Sequence, residues 1–372
     1  MNSRKTLSLF LFVCLTSTCS CQAALKKLVT LSEKRAAAAS KSTTQTVSPP
    51  VSPAVIDKEY LDYQFQVRSH FLQKDYAWID EEAHKARTNK IRLPGGFWKL
   101  RVLYGVFEEP VKGEGTDANW EDMIAQLTSW TKERPESITA RVALAGAWKD
   151  YGWKARGNGR ASSVTQDGWA TFNKRLGTAA NILAEAASLK ERCPHWYVIA
   201  LWVGTAQGWD RDAFERVFQA GVSLEPTYYT IHNAKAAYLM PRWHGEAGEW
   251  ERFAEESASG PEGEVIYFAI YDVMMDLNGM SLMNDHQEAV PKLIAAFRTI
   301  EKRFGPSLSR TNEAALFASF GNDAATTVEL FNRIGNQWDP NVWRSPKAFE
   351  AFRQQAHERM RAEAAAAKNP TR

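Results

Sequence analysis

From residue 57 onward, large apolar side chains recur three and four positions apart, the spacing of one face of an α-helix. Tyr60, Leu61, Phe65, Phe71 and Leu72 set this rhythm in Asp57–Asp75, and it continues through Ala77–Lys90 and Phe97–Glu109, with Pro94-Gly95-Gly96 as the break. Trp120, Ile124, Leu127 and Trp130 form one stripe in Asn119–Glu133. Val142, Ala145 and Trp148 line one side of Ile138–Tyr151, and Trp169–Leu189 is a further Ala-rich helical run. Trp196–Gln207 followed by Arg211–Leu224 is the clearest helical pair. Its small residues Ala200, Gly204, Gly208, Ala213 and Ala220 let paired helices approach. The composition of Tyr197–Val203 also suits a buried strand, but no alternating partner strand is visible, so a helix is predicted there. Ala315, Phe317, Gly321, Ala325, Leu330 and Ile334 repeat the rhythm near the end. Residues 157–163 (GNGRASS) interrupt it, as an insertion or as a binding loop.

Prolines punctuate the pattern. Pro94, Pro135, Pro194, Pro226, Pro261, Pro306 and Pro340 are separated by 41, 59, 32, 35, 45 and 34 residues. A helix–turn–helix unit of the tetratricopeptide kind is about 34 residues long and ends near a proline, because proline lacks an N–H and crowds the preceding turn. The expected fold is therefore all-α: an irregular tetratricopeptide-like α-α superhelix, a helical-hairpin solenoid of six or seven pairs over residues 57–356. Residues 357–372 read as a polar C-terminal tail, whose Ala-rich end, Glu363–Arg372, is expected to fray.

The first 56 residues change the picture. Arg4 and Lys5 precede a short apolar run, Leu7–Leu15, and then small residues, the order of an export signal over residues 1–23. Cys21, preceded by Ser20, also fits a lipoprotein signal in part; release and lipid anchoring both remain open. Residues 24–56, rich in Ala, Ser, Thr and Pro, read as a flexible tether. Three of the four cysteines lie in the leader, so only Cys193 would remain after cleavage and no internal disulfide could form.

Composition narrows the partners. A net charge of +3 without a Lys/Arg block argues against nucleic acid. No pair of the seven histidines has zinc-binding helical spacing, and no phosphate loop or nucleophile elbow occurs, so no metal, cofactor or catalytic residue is expected. Cys193 reads as a packing thiol. Acids beside tryptophan at two places, Trp120-Glu121-Asp122 and Trp338-Asp339, hold open a glycosidase reading, which needs paired carboxylates. The densest unusual cluster is Tyr228–Trp250. Tyr228, Tyr229, His232, Arg242, Trp243, His244 and Glu246 combine planar donors, aromatic faces and a titratable ring, and they are the candidate binding residues. The structural alternative is an Arg242 pair with Glu246 or Glu249 and a packed interhelix corner.

Three segments, 225–229 (EPTYY), 237–245 (AYLMPRWHG) and 335–340 (GNQWDP), resemble an uncharacterised bacterial family known only as a domain of unknown function with tetratricopeptide-like helices. The resemblance covers roughly residues 57–356 and implies no reaction. The function expected is that of an exported, non-catalytic binding or scaffold protein that recognises a peptide or partner protein in the periplasm or bacterial envelope, since stacked hairpins leave a concave side-chain surface. The alternative is a glycan-binding protein or a glycoside hydrolase on a helical toroid.

Overall fold

The computed structural model describes residues 57–113, 115–157 and 159–368. The leader and tether expected over residues 1–56 lie outside them. The described residues form sixteen helices and one minimal β-hairpin. In chain order the helices are α1 Lys58–Leu72, α2 Tyr76–Thr88, α3 Lys99–Gly105, α4 Asp117–Glu133, α5 Ile138–Arg156, α6 Gln166–Ala187, α7 Pro194–Gln207, α8 Arg211–Leu224, α9 Tyr229–Tyr238, α10 Glu249–Ser257, α11 Gly263–Asn278, α12 Val290–Phe304, α13 Leu308–Phe320, α14 Ala324–Ile334, α15 Pro340–Trp343 and α16 Pro346–Lys368.

Local chemistry sets most of these starts. Thr116, Ser137, Thr165, Asp210, Ser307 and Asp323 each accept a hydrogen bond from a backbone N–H in the first turn of the helix they cap. Pro194 and Pro340 are the first residues of α7 and α15, where a missing N–H costs nothing. All seven interval prolines lie at element junctions.

Tyr197–Val203 is helical, as expected. One expectation is corrected. Phe97-Trp98 is not helix: it is the second strand (β2) of an antiparallel hairpin whose first strand (β1) is Arg92-Leu93. The last helix, α16, buries Phe349 and Ala356 and extends to Lys368.

Consecutive helices pack against one another through most of the chain, and α5, α7, α9 and α11 also pack in succession. The hairpin departs from the pattern of a solenoid whose units touch only their neighbours. The Arg92 guanidinium lies 3.5 Å from the centre of the Trp98 ring, 2.5 Å from Glu262 and 3.2 Å from the Thr227 hydroxyl. Trp98 donates its indole N–H to the Thr227 carbonyl at 2.9 Å. Gly95, at φ +74°, carries the turn between the strands against the start of α13. A Cβ there would stand 2.5 Å from Ser307 Cβ, so both its dihedral and its neighbour require glycine. Asp57 completes the clasp by accepting from the Ser307 hydroxyl at 2.5 Å and the Leu308 N–H at 2.8 Å. The first described residues are thereby fastened to the start of a helix 250 positions later.

Candidate functional site

This clasp forms one wall of a cleft of about 550 Å³. Tyr60, Leu61 and Gln64 of α1 and Phe97 of β2 line one side. Asp272, Met275 and Asp276 of α11 face Ser309, Glu313 and Leu316 of α13, and residues 339–344 close the rim. Five carboxylates line the cleft: Asp57, Asp272, Asp276, Glu313 and Asp339.

Behind the wall, Arg310 is 3% exposed. It donates to Glu313 at 2.6 Å, to Asp272 at 3.3 Å and to the Gly95 carbonyl at 3.2 Å. Both acids bond the same Nη1 atom, which holds two carboxylates side by side. Removal from water pushes the Asp272 carboxyl well above the ordinary range, and the neighbouring Glu313 charge adds to this against the pull of Arg310. The same two causes raise Asp276, and burial raises Asp339. Asp339 is nevertheless anchored. It accepts from the Asn341 N–H at 2.8 Å and the Ser309 hydroxyl at 3.2 Å. Asn312 takes the Asp339 N–H at 3.0 Å and the Trp343 indole N–H at 2.8 Å, which fixes the rim to α13.

The cleft continues onto a surface of α1. Leu61, which lines it, is followed by Phe65 and Leu72, and all three are exposed, Phe65 to 70%. An acidic recess bordered by apolar side chains can hold a cation flanked by hydrophobic groups. Among the described residues, no group of three His, Cys, Asp or Glu side chains is placed to hold a metal ion.

The seven candidate residues lie elsewhere and do not form one surface. Tyr228, Tyr229 and His232 are core residues. Tyr228 packs its hydroxyl 3.0 Å from His195 Nδ1, and its ring meets Trp98 edge-on. His232 lies between Phe218 and Phe253 and bonds the Pro226 carbonyl at 3.2 Å. Their chemistry suits recognition, but α9 packs against α7, α8, α10 and α11 and has little free face to present. His244 bonds the Thr205 carbonyl at 2.9 Å and stacks on Tyr238, while half-buried Trp243 meets Trp153 edge-on. Arg242 and Glu246 are exposed but do not pair: Arg242 donates to the Leu277 carbonyl at 3.0 Å, and Glu249 takes Arg211 instead. Gly245 explains the tight corner, since a Cβ would stand 1.9 Å from the Leu239 carbonyl oxygen. Cys193 is buried, with its sulfur 3.3 Å from the Tyr104 hydroxyl.

Of the two Trp–acid pairs, Trp338-Asp339 supplies a cleft residue, while Trp120 packs on Tyr151. The other cleft residues were missed. One signal existed: Asp272 and Asp276 stand four positions apart in the otherwise apolar segment 265–277, so both acids share one face of a buried helix.

Residues 67–202 match the family model described as a domain of unknown function (DUF4034). The DUF4034 region runs from within α1 to within α7. It is shorter than the 57–356 expected from the resemblance and does not reach the three segments on which that resemblance rests. No curated protein and no solved structure matches the chain. The DUF4034 region contributes Phe97 to the cleft, and most of the carboxylate wall comes from residues after it.

Proposed function

We propose that this chain is an exported, non-catalytic binding module that recognises a peptide or a partner protein in the bacterial envelope, and that the carboxylate-lined cleft is its recognition site. The succession α5–α7–α9–α11 would be the irregular, tetratricopeptide-like superhelical part of the scaffold, and the leader-like first residues would carry the chain out, with or without a lipid anchor. The observation that carries the reading is the cleft itself: a recess of about 550 Å³ with acids on two facing helices and exposed apolar side chains at its lip. Such a lining suits a side chain entering from an extended or helical partner better than a flat face would.

Selection from a displayed random-peptide library tests it. Wild-type protein should enrich peptides that a Leu61→Glu variant, altered at the lip, does not. Equal enrichment by both proteins, or none by either, would refute the cleft as a recognition site.

One observation favours a second reading, glycoside hydrolysis. Asp272 and Glu313 sit side by side, and burial favours the protonated acid at Asp272, as a retaining or inverting pair would need. Arg310 weighs against it, because its guanidinium occupies the position between the two carboxylates. Release of reducing ends from cell-wall or plant oligosaccharides, abolished by Glu313→Gln, would establish that reading.

A further inference from the structure

The apolar lip has a regular spacing that narrows the ligand. Leu61, Phe65 and Leu72 stand four and seven positions apart on α1, so they lie along one side of the helix. From Leu61 to Leu72 the row is about 16 Å long at ~1.5 Å per residue. Its N-terminal end opens into the cleft, where Asp272, Asp276 and Glu313 gather. The other apolar residues of this helix, Tyr63, Val67 and Phe71, are buried on its opposite side. The exposed row is therefore additional to what the fold requires of α1.

We propose that the exposed row of α1 and the adjoining acidic cleft together receive one amphipathic helical segment of a partner protein, about three turns long, with a lysine or arginine at the end that enters the cleft. This rests on the binding reading above and specifies its ligand. The occupant follows from charge complementarity. A basic side chain matches this acidic lining, where Arg310 already answers Asp272 and Glu313 but the exposed Asp276 has no hydrogen bond or ion pair among the described residues. A second copy of the chain is the other candidate. A twin α1 would cover the leucines and Phe65 and would bring an exposed cation of its own, Arg68, so self-association is the competing outcome that sedimentation detects. The apolar row supplies buried area, and the cleft sets register and direction, because a charge placed at the wrong end of the partner helix would meet no acid.

The probe is a fluorescein-labelled 18-residue Leu/Lys amphipathic peptide, titrated with the full chain and followed by anisotropy. A Leu/Glu peptide of the same pattern and a Ser/Lys peptide without an apolar face are the comparisons. Wild-type protein should bind the Leu/Lys peptide saturably, with affinity falling as salt is raised. Phe65→Ser and Asp276→Lys each change an exposed side chain, so both variants should fold, and each should weaken binding at least tenfold. Equal binding of the Leu/Lys peptide to all three proteins, or equal binding of the Leu/Glu peptide, would overturn the proposal. So would a wild-type dimer in sedimentation that Phe65→Ser dissociates. Library peptides that need the cleft but carry neither a basic residue nor a helical apolar row would sink this inference while leaving the broader binding reading intact. If no peptide depends on the cleft, both fall.

Discussion

Replacing His232 with glutamine should make the protein's stability less sensitive to acid. His232 is 7% exposed and lies between the rings of Phe218 and Phe253. Its Nε2 faces the Pro226 carbonyl, and its Nδ1 has no hydrogen-bond partner among the described residues. Burial, opposed by the Pro226 bond and reinforced by Lys235, lowers its pKa from 6.5 to about 4. In the unfolded chain the ring titrates near its ordinary value, about 6.5. Between those two values the unfolded state binds more protons than the folded state, so acidification favours unfolding. The neutral ring is fully accommodated above about pH 6.5, and the penalty grows as pH falls toward 4. A lowering from 6.5 to about 4 corresponds to roughly 3 kcal/mol in total, of which about 2.5 kcal/mol should be expressed between pH 7.5 and 4.5. Glutamine keeps a donor for Pro226 and does not titrate. The assay is urea unfolding followed by tryptophan fluorescence at several pH values, for wild type and His232→Gln side by side. The difference between the two proteins removes the contribution of His195, which burial also holds well below its ordinary value. His232→Gln should be the less stable protein at pH 7.5, and the gap should close by about 2–3 kcal/mol on reaching pH 4.5. A gap that stays constant with pH would refute the assignment of His232 as a buried neutral ring.

Asp57→Ala removes the acceptor for the Ser307 hydroxyl and the Leu308 N–H and should cost about 1–2 kcal/mol in urea unfolding; no loss would mean that the clasp contributes nothing to stability. Gly245→Ala should destabilise by about 2–3 kcal/mol, because the added carbon meets the Leu239 backbone, which cannot yield as a flexible side chain would; a melting temperature within a degree of wild type would contradict that packing. Cys193, 1% exposed, should react with a thiol reagent only on the timescale of unfolding, and Cys193→Ser should cost no more than about 2 kcal/mol; rapid labelling of the native protein would show an accessible thiol instead. Affinity of the cleft for the Leu/Lys peptide should weaken as pH falls from 7 toward 5. Asp272, Asp276 and Asp339 have raised pKa values, so they take up protons at higher pH than ordinary aspartates and lose the charge that attracts the cation. For stability the sign is opposite: raised carboxyls oppose folding when ionised, and that cost is relieved as they protonate. Affinity that is unchanged or higher at pH 5 would remove these acids from the interaction.

Local rules made much of the helical content readable. Arg211–Leu224 begins one residue after the Asp210 cap and ends before Pro226, and all of that information lies within seventeen adjacent residues. Trp120, Leu127 and Trp130 were legible as core from period alone and are buried. Burial was not legible at Tyr228, Tyr229 and His232. Polar and aromatic chemistry marks a cluster but does not say how many neighbours cover it, and α9 is packed on several sides. The β-hairpin was missed because its two-residue strands are held chiefly by distant side chains of Thr227, Glu262 and Arg310.

The chain alone therefore determined that the described part would be mainly helical and where most of its breaks would fall, because propensity, capping and proline act between residues a few positions apart. Only the tertiary structure decided where a ligand could lodge. Asp57, Asp272, Glu313 and Asp339 are far apart in sequence and ordinary in local context. They line one acidic recess because the clasp at Ser307 fastens the start of the first described helix to the start of α13, and the loss of water there raises the proton affinity of Asp272 and Asp339.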